Sequence, residues 1–141
     1  MMQIKKCSTE YIDRICEIDK TSSSYNWTKK MFVDGQKGLF DVLFIDDIIA
    51  GFIVYSMVID EGEIFNIVID NKYKEHGYGT FLLQNTLKKM SQNGVKTVYL
   101  EVGEKNNKAI QLYKKLGFDI YNRREKYYKN GENAILMKKT F

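Results

Sequence analysis

The sequence of 141 residues contains no proline, one histidine and two cysteines. Without proline, its turns must be made by glycine, asparagine and aspartate. Cys7 and Cys16 lie nine residues apart with no histidine cluster nearby. That spacing fits neither a zinc site nor the disulfide framework of a small secreted domain. We therefore expect two reduced thiols and no metal site.

Long apolar runs are also missing. The longest, residues 48–58, is interrupted by Gly51 and Ser56 and is too short to cross a bilayer, and the N-terminus lacks the pattern of a signal peptide. The 22 basic and 18 acidic residues give a net charge of +4, and the basic residues occur in scattered pairs rather than in one stripe. We expect a cytoplasmic protein that binds neither membranes nor nucleic acid.

The composition is that of an ordinary globular protein, with 44% hydrophobic and 28% charged residues, and the length suits a single domain over residues 1–141. Hydrophobic periodicity predicts the order β-α-α-β-β-β-α-β-α-β-β. The predicted strands are 2–7, 39–45, 48–58, 64–69, 95–102, 118–128 and 134–138, and the predicted helices are 11–19, 27–34, 78–90 and 106–116. Asn130-Gly131 predicts a tight hairpin between the last two strands. A meander followed by β-α-β crossovers predicts an α/β protein with a mixed sheet and helices on both faces.

Two glycines stand one residue apart where the third predicted helix begins, in the segment KEHGYGT over residues 74–80. Unpaired N–H groups at a helix start attract anions, and Gly77 and Gly79 would let a phosphate approach them closely. The segment lacks the third glycine of a dinucleotide fingerprint and the Gly-Lys-Ser/Thr of a P-loop. From these residues alone, tight packing of strand against helix explains the glycines equally well.

Four segments resemble the GCN5-related N-acetyltransferases (GNAT), and in particular their RimI-type group, which acts on protein N-termini. The segment KEHGYG is similar to the Gln/Arg-x-x-Gly-x-Gly/Ala loop that holds the pyrophosphate of acetyl-CoA. Lys74 stands where the family usually has Gln or Arg, and Tyr78 stands where an aliphatic residue is commoner. YLEVGEKNNKAIQLYKKLGF resembles the family's Leu-Glu-Val strand and the Asn-x-x-Ala-Ile-x-Leu-Tyr helix that follows it.

The other two segments are EIFNIVID, which resembles the strand that pairs with pantetheine, and YYKNGENAILM, which resembles the Tyr-Tyr…Gly-Glu-Asp-Ala hairpin of N-terminal acetyltransferases. Asn133 replaces the usual Asp of that hairpin. In addition, YNWT around Trp27 resembles the RimI-type loop on the acceptor side. The resemblance implies the GNAT fold, a central mixed sheet of about seven strands that splays between strands 4 and 5 and is flanked by four helices.

The resemblance also implies direct transfer of acetyl from acetyl-CoA to an amine, with Glu101 as general base and Tyr113 as general acid. Without it, Glu101 is more simply a solvated carboxylate at a strand end and Tyr113 a half-buried aromatic. The implied contacts to acetyl-CoA come from Ile67, Val68, Ile69, Lys74, Glu75, His76, Gly77, Tyr78, Gly79, Thr80, Asn106 and Tyr113. The implied acceptor contacts come from Trp27, Phe65, Asn66, Tyr127 and Tyr128. We expect no catalytic role for His76, since it lies inside the phosphate loop, and Asn106 is also a natural helix N-cap.

By the same resemblance, the expected acceptor is the terminal α-amine of a protein, specifically a ribosomal protein. A small amine of the polyamine or aminoglycoside type is an alternative acceptor, and a CoA-binding module without catalysis is an alternative of another class. Acceptor profiling separates the first two, and kinetics of Glu101 and Tyr113 variants test the third. We expect a monomer or a weak homodimer.

Overall fold

The computed structural model describes all 141 residues and has the predicted order of elements. The strands are β1 (Met2–Lys6), β2 (Leu39–Ile45), β3 (Ile48–Val58), β4 (Glu61–Ile69), β5 (Thr97–Gly103), β6 (Asp119–Arg124) and β7 (Ala134–Thr140). The helices are α1 (Ile12–Ser22), α2 (Lys29–Gly35), α3 (Tyr78–Gln92) and α4 (Asn107–Lys115), and single 3-10 turns occupy Thr9–Tyr11 and Asn71–Tyr73. The Thr28 side chain caps α2 by accepting a hydrogen bond from the N–H of Met31.

The seven strands form one sheet in the order β1-β2-β3-β4-β5-β7-β6. The β4–β5 pair is parallel, whereas β1–β2, β2–β3, β5–β7 and β6–β7 are antiparallel. The parallel ladder begins at Glu61–Thr97 and ends at Ile64–Leu100, although both strands continue beyond it. The predicted mixed sheet with a splay between its fourth and fifth strands is therefore confirmed.

The chain divides into two compact units, and the first contains residues 1–56 and 66–86. Its core joins the apolar stripe of α1 to aromatic side chains of α2 and the sheet. Phe32 packs edge-on to Phe52, with ring centroids 5.3 Å apart, and both side chains are fully buried. Each fully buried side chain of this size contributes roughly 1.5–3 kcal/mol. The buried members of this core are Cys7, Ile12, Ile15, Ile18, Phe32, Phe40, Val42, Phe44, Phe52, Val54 and Val68.

The second unit contains residues 57–65 and 87–141. Its core is built on β5 and β7, where Val98, Leu100 and Val102 alternate along one strand and residues 134–137 are all buried on the other. Gly62 packs closely here, because an added Cβ would lie 2.8 Å from the sulfur of Met90 and would force that buried side chain to shift. This unit carries both residues that the resemblance assigns to proton transfer.

The predicted tight hairpin between the last two strands is wrong. The β6–β7 ladder ends at Arg124–Ala134 rather than near Tyr128, so residues 125–133 form a longer loop. Within this loop a turn does form at the predicted place, where the N–H of Gly131 donates to the carbonyl of Tyr128 (2.9 Å). Beyond the ladder, Lys126 has a left-handed backbone (φ +50°), and its N–H donates to the Asn133 side chain (2.9 Å) instead of to a strand partner.

Both cysteines are free thiols, one buried and one half-buried. Burial, followed by the charge of Asp41, raises the pKa of Cys7 to about 11, so this thiol stays protonated. No helix has the length and apolar character needed to cross a membrane.

Candidate active site

The glycine loop lies in the first unit and opens α3, a helix of 15 residues. Gly77 has a left-handed backbone (φ +80°), and an added Cβ would meet nothing within 4 Å. The N–H groups of the first helical turn have no acceptor within their own helix. Residues 74–77 are exposed. An exposed glycine with positive φ directly before a helix start suits close approach by a phosphate, and the residues present fit the pyrophosphate of acetyl-CoA.

The segment that precedes this loop is tied to the end of α1. The Lys74 ammonium donates to the carbonyl of Ser22 (2.9 Å), and the main-chain N–H of Asn71 donates to the Ser22 hydroxyl (3.0 Å). Lys74 thus bonds an unsatisfied carbonyl at a helix C-terminus, and its attraction for phosphate stays a prediction. Tyr78 packs edge-on to Tyr73 and lies beside His76. The aromatic ring that replaces the family's usual aliphatic residue at position 78 therefore packs within the loop.

Asp19, at the same end of α1, organises the loop that carries Trp27. Its side chain is almost fully buried and accepts a hydrogen bond from the N–H of Trp27 (2.8 Å). The Asn26 amide, oriented to donate, reaches the main-chain carbonyl of Asp19 (2.8 Å). Asp19 was not predicted as a site residue, because nothing in a helical stripe distinguishes a buried carboxylate from a solvated one.

Asp19 also faces Asn66 of β4. Burial raises the pKa of the Asp19 carboxyl, and the Trp27 N–H and the Asn66 amide both oppose that rise. The second oxygen of Asp19 and the side-chain nitrogen of Asn66 are buried without a partner at full hydrogen-bond distance. Two predicted acceptor-side residues, Trp27 and Asn66, are therefore brought together by one buried carboxylate.

Glu101 lies on β5 in the second unit, with about a third of its side chain exposed. The Arg124 guanidinium lies 3.5 Å from its carboxylate and also stacks over the ring of Tyr127. A hydrogen bond to Glu101 is the first cause of a raised pKa at Tyr127. The predicted base is thus paired with a cation that also stacks on a phenol. Sequence reasoning missed Arg124, which is 23 positions from Glu101 and shares no motif with it.

Tyr113 is buried on α4, where its ring packs edge-on to Phe118 at 5.8 Å. Burial alone raises its pKa to about 12. Tyr128 links the predicted acid to the predicted base. Burial is the main cause of the raised pKa of Tyr128, and the further contributions include those of Glu101 and Tyr113. Tyr128 is therefore electrostatically coupled to Glu101 and Tyr113, and its ring packs edge-on to Tyr127 with centroids 5.2 Å apart.

A second carboxylate belongs to the surroundings of Glu101. Partial burial of the carboxyl of Glu63 on β4, a residue that is exposed as a whole, raises its pKa, and the charge of Glu101 raises it further. In the parallel ladder Glu63 pairs with Tyr99, two residues before Glu101 and on the same face. The register could have placed Glu63 here, but it lay outside the predicted strand.

Further predicted site residues lie at the start of α4 and along β4. Asn106 caps α4, since its side chain accepts from the N–H of Ala109 (3.2 Å). Phe65 is about half exposed on β4. Three further residues lie beyond the last β4 residue that pairs with β5. These are Ile67, Val68 and Ile69.

Residues 4–118 match the family model described as the acetyltransferase (GNAT) family. The chain is a member of that family. As a GNAT enzyme it is an acetyl-CoA-dependent acyltransferase, and the predicted fold and cosubstrate are confirmed.

Full-length relatives agree with this assignment. The chain is 33% identical to the ribosomal protein bS18-alanine N-acetyltransferase of Salmonella typhimurium, over 97% of this chain and 96% of that protein. It is 30% identical to an N-alpha-acetyltransferase of Sulfurisphaera tokodaii, over 96% and 90%. The crystal structure of the ribosomal-protein-S18-alanine N-acetyltransferase from Escherichia coli superimposes with a TM-score of 0.92 at 32% identity, over 99% of this chain and 94% of that one.

Proposed function

We propose that this protein acetylates the N-terminal α-amine of a ribosomal protein, with acetyl-CoA as donor. The observation that carries the proposal is the ion pair of Glu101 with Arg124, whose guanidinium lies over Tyr127, a ring packed edge-on to Tyr128, together with the buried phenol of Tyr113 in the same unit. Relatives with matching length and N-terminal acetyltransferase names support the class of acceptor.

Transfer of acetyl from a thioester to an amine forms a C–N bond and breaks a C–S bond. The amine must lose a proton, and the departing thiolate must gain one. In the proposed mechanism Glu101 accepts the amine proton and Tyr113 donates a proton to sulfur. With a pKa of about 12, Tyr113 holds its proton at neutral pH. Direct transfer is favoured because the buried thiol of Cys7 is a poor nucleophile.

Other residues bind and orient in this proposal. The main-chain N–H groups at Gly77, Gly79 and the start of α3 hold the pyrophosphate. The main chain of β4 beyond the parallel ladder pairs with pantetheine, and an N–H there polarises the acetyl oxygen. The proposed acceptor contacts are those of Trp27 and Asn66 in the first unit and of Phe65, Tyr127 and Tyr128 in the second.

The test is acceptor profiling with purified enzyme and acetyl-CoA. Unacetylated ribosomal proteins, peptides with free or blocked N-termini, spermidine and an aminoglycoside are offered separately, and products are read by mass spectrometry. We expect one acetyl group on a terminal amine and no reaction with blocked peptides. Turnover of a small amine together with inert N-termini would overturn the proposal.

A further inference from the structure

Glu104, directly after β5, is the centre of a hydrogen-bond network on the second unit. Its carboxylate accepts two hydrogen bonds from the Arg123 guanidinium, at 2.8 and 3.2 Å. It accepts a third from the Asn133 amide, at 2.9 Å. These bonds lower the pKa of Glu104, with Arg123 as the first cause and Asn133 as the second.

Asn133 uses both ends of its side chain at the base of the 125–133 loop. The nitrogen donates to Glu104, and the oxygen accepts from the N–H of Lys126 at 2.9 Å. Main-chain bonds reinforce this closure, because the N–H of Glu104 donates to the carbonyl of Asn133 (2.9 Å). The N–H of Lys105 also donates to the Glu132 carboxylate (2.9 Å). The loop is therefore closed at its base by side chains from the end of β5.

This loop carries two phenols, one of which lies against the ion-pair partner of Glu101. The Arg124 guanidinium, 3.5 Å from the Glu101 carboxylate, lies over the ring of Tyr127 (5.4 Å to its centroid). Tyr128 packs edge-on to Tyr127, with ring centroids 5.2 Å apart. We propose that Glu104 and Asn133 are a matched acceptor–donor pair that fixes the 125–133 loop and so positions Tyr127 and Tyr128 beside Glu101. The effect on turnover rests on the proposed function, whereas the effect on the loop does not.

The pairing accounts for the asparagine that stands where the resembling hairpin usually has aspartate. In the Asn133→Asp variant, the ionised carboxylate could still accept from Lys126, but it has no hydrogen to give to Glu104. Two carboxylates would instead face each other at hydrogen-bond distance. In this chain, the substitution is therefore expected to release the loop although it restores the usual residue.

The first readout is limited trypsin cleavage of the Lys126–Tyr127 bond in the free enzyme, followed by mass spectrometry. We expect Asn133→Asp to raise its cleavage rate about fivefold, the factor that corresponds to one typical hydrogen bond. Cleavage at Lys20 in α1 is the internal reference for global unfolding. Asn130→Asp is the matched control, since Asn130 only accepts a bond there, from the N–H of Glu132, and aspartate accepts it equally well.

The second readout is rescue. In the double variant Glu104→Gln, Asn133→Asp, the introduced glutamine amide donates to the introduced aspartate. That amide replaces the oxygen that also accepts from the Arg123 Nε–H, so we expect cleavage to fall only part of the way back toward the wild-type rate.

With an active acceptor, Asn133→Asp should lower kcat/KM for that acceptor while KM for acetyl-CoA is unchanged, and the double variant should recover part of that loss. Wild-type cleavage of Asn133→Asp, or a double variant as labile as the single one, would overturn the inference. Failure of acetylation alone would leave the cleavage result standing and count against the proposed function.

Discussion

In the proposed chemistry Glu101 is the general base. Its carboxylate pairs with Arg124, which stacks on Tyr127, and about a third of the Glu101 side chain remains exposed. We expect Glu101→Gln to lower kcat at pH 7 by about 10²–10⁴-fold, because the amide cannot take the acceptor's proton. Part of the loss should be recovered above pH 8, since an α-amine with a pKa of about 7.7–8.0 then loses its proton to solvent. Steady-state kinetics against pH measure this. Glu61→Gln, an exposed carboxylate on β4, is the control, and normal turnover of Glu101→Gln would remove the assignment.

In this mechanism Tyr113 is the general acid, and burial raises the pKa of its phenol. Because its pKa is about 12, the phenol remains a proton donor throughout the usual assay range. We expect Tyr113→Phe to lower kcat by about 10²–10⁴-fold with acceptor KM little changed. Wild-type kcat should show no alkaline decline from this group below about pH 11. Tyr99→Phe, which keeps its ring against Tyr121, is the matched control; equal losses in both variants would contradict the role.

At the scale of elements, α3 offers an internal comparison because a glycine with positive φ flanks each of its ends. Gly77 (φ +80°) precedes it and Gly94 (φ +83°) follows it, and an added Cβ meets nothing within 4 Å at either. Alanine at either position should cost about 1–2 kcal/mol of folding stability through backbone strain. We expect only Gly77→Ala to raise KM for acetyl-CoA, since its methyl group occupies the approach to the helix donors. Thermal unfolding and cosubstrate titration measure both effects; an equal change in KM would place the phosphates elsewhere.

Elements with clear boundaries could be predicted from the sequence. The bounds of β2 and β3 agree with the prediction, because Asp46 and Asp47 supply the two positive-φ residues of the turn between them. β4 begins earlier than predicted. Its acidic residues Glu61 and Glu63 are exposed, while Gly62 and Ile64 are buried. Because charged residues and a glycine are typical of turns, the sequence placed the start of the strand after them.

In the candidate site, residues within short motifs could be predicted from the sequence, whereas contacts between distant residues could not. Glu101, Tyr113 and the glycine loop stand in contiguous motifs that a sequence displays. Their partners do not. Arg124 meets Glu101 and Asn133 meets Glu104 only because the sheet register and a nine-residue loop bring them together. No periodicity in the sequence indicates such pairs, so only the three-dimensional structure identifies them.

For the whole molecule, the division into two units crosses elements rather than linkers. The chain passes between the units after residues 56, 65 and 86, which lie inside β3, β4 and α3. Neither unit can unfold without breaking strands or a helix that the other also uses. We therefore expect one cooperative transition, with calorimetric and van't Hoff enthalpies that agree. Circular dichroism and Trp27 fluorescence should report the same midpoint, and two separated midpoints would contradict the predicted single domain.

The last turn of α1 is bonded both to the loop that carries Trp27 and to the segment that leads into Gly77. In the proposed enzyme these are the binding regions of the two substrates, so a mutation that shifts the backbone of this turn should affect both. Evolution toward a new acceptor through residues 19–22 would therefore meet a trade-off with the affinity for the acetyl donor. Laboratory selection for altered acceptors should concentrate its useful changes away from that turn.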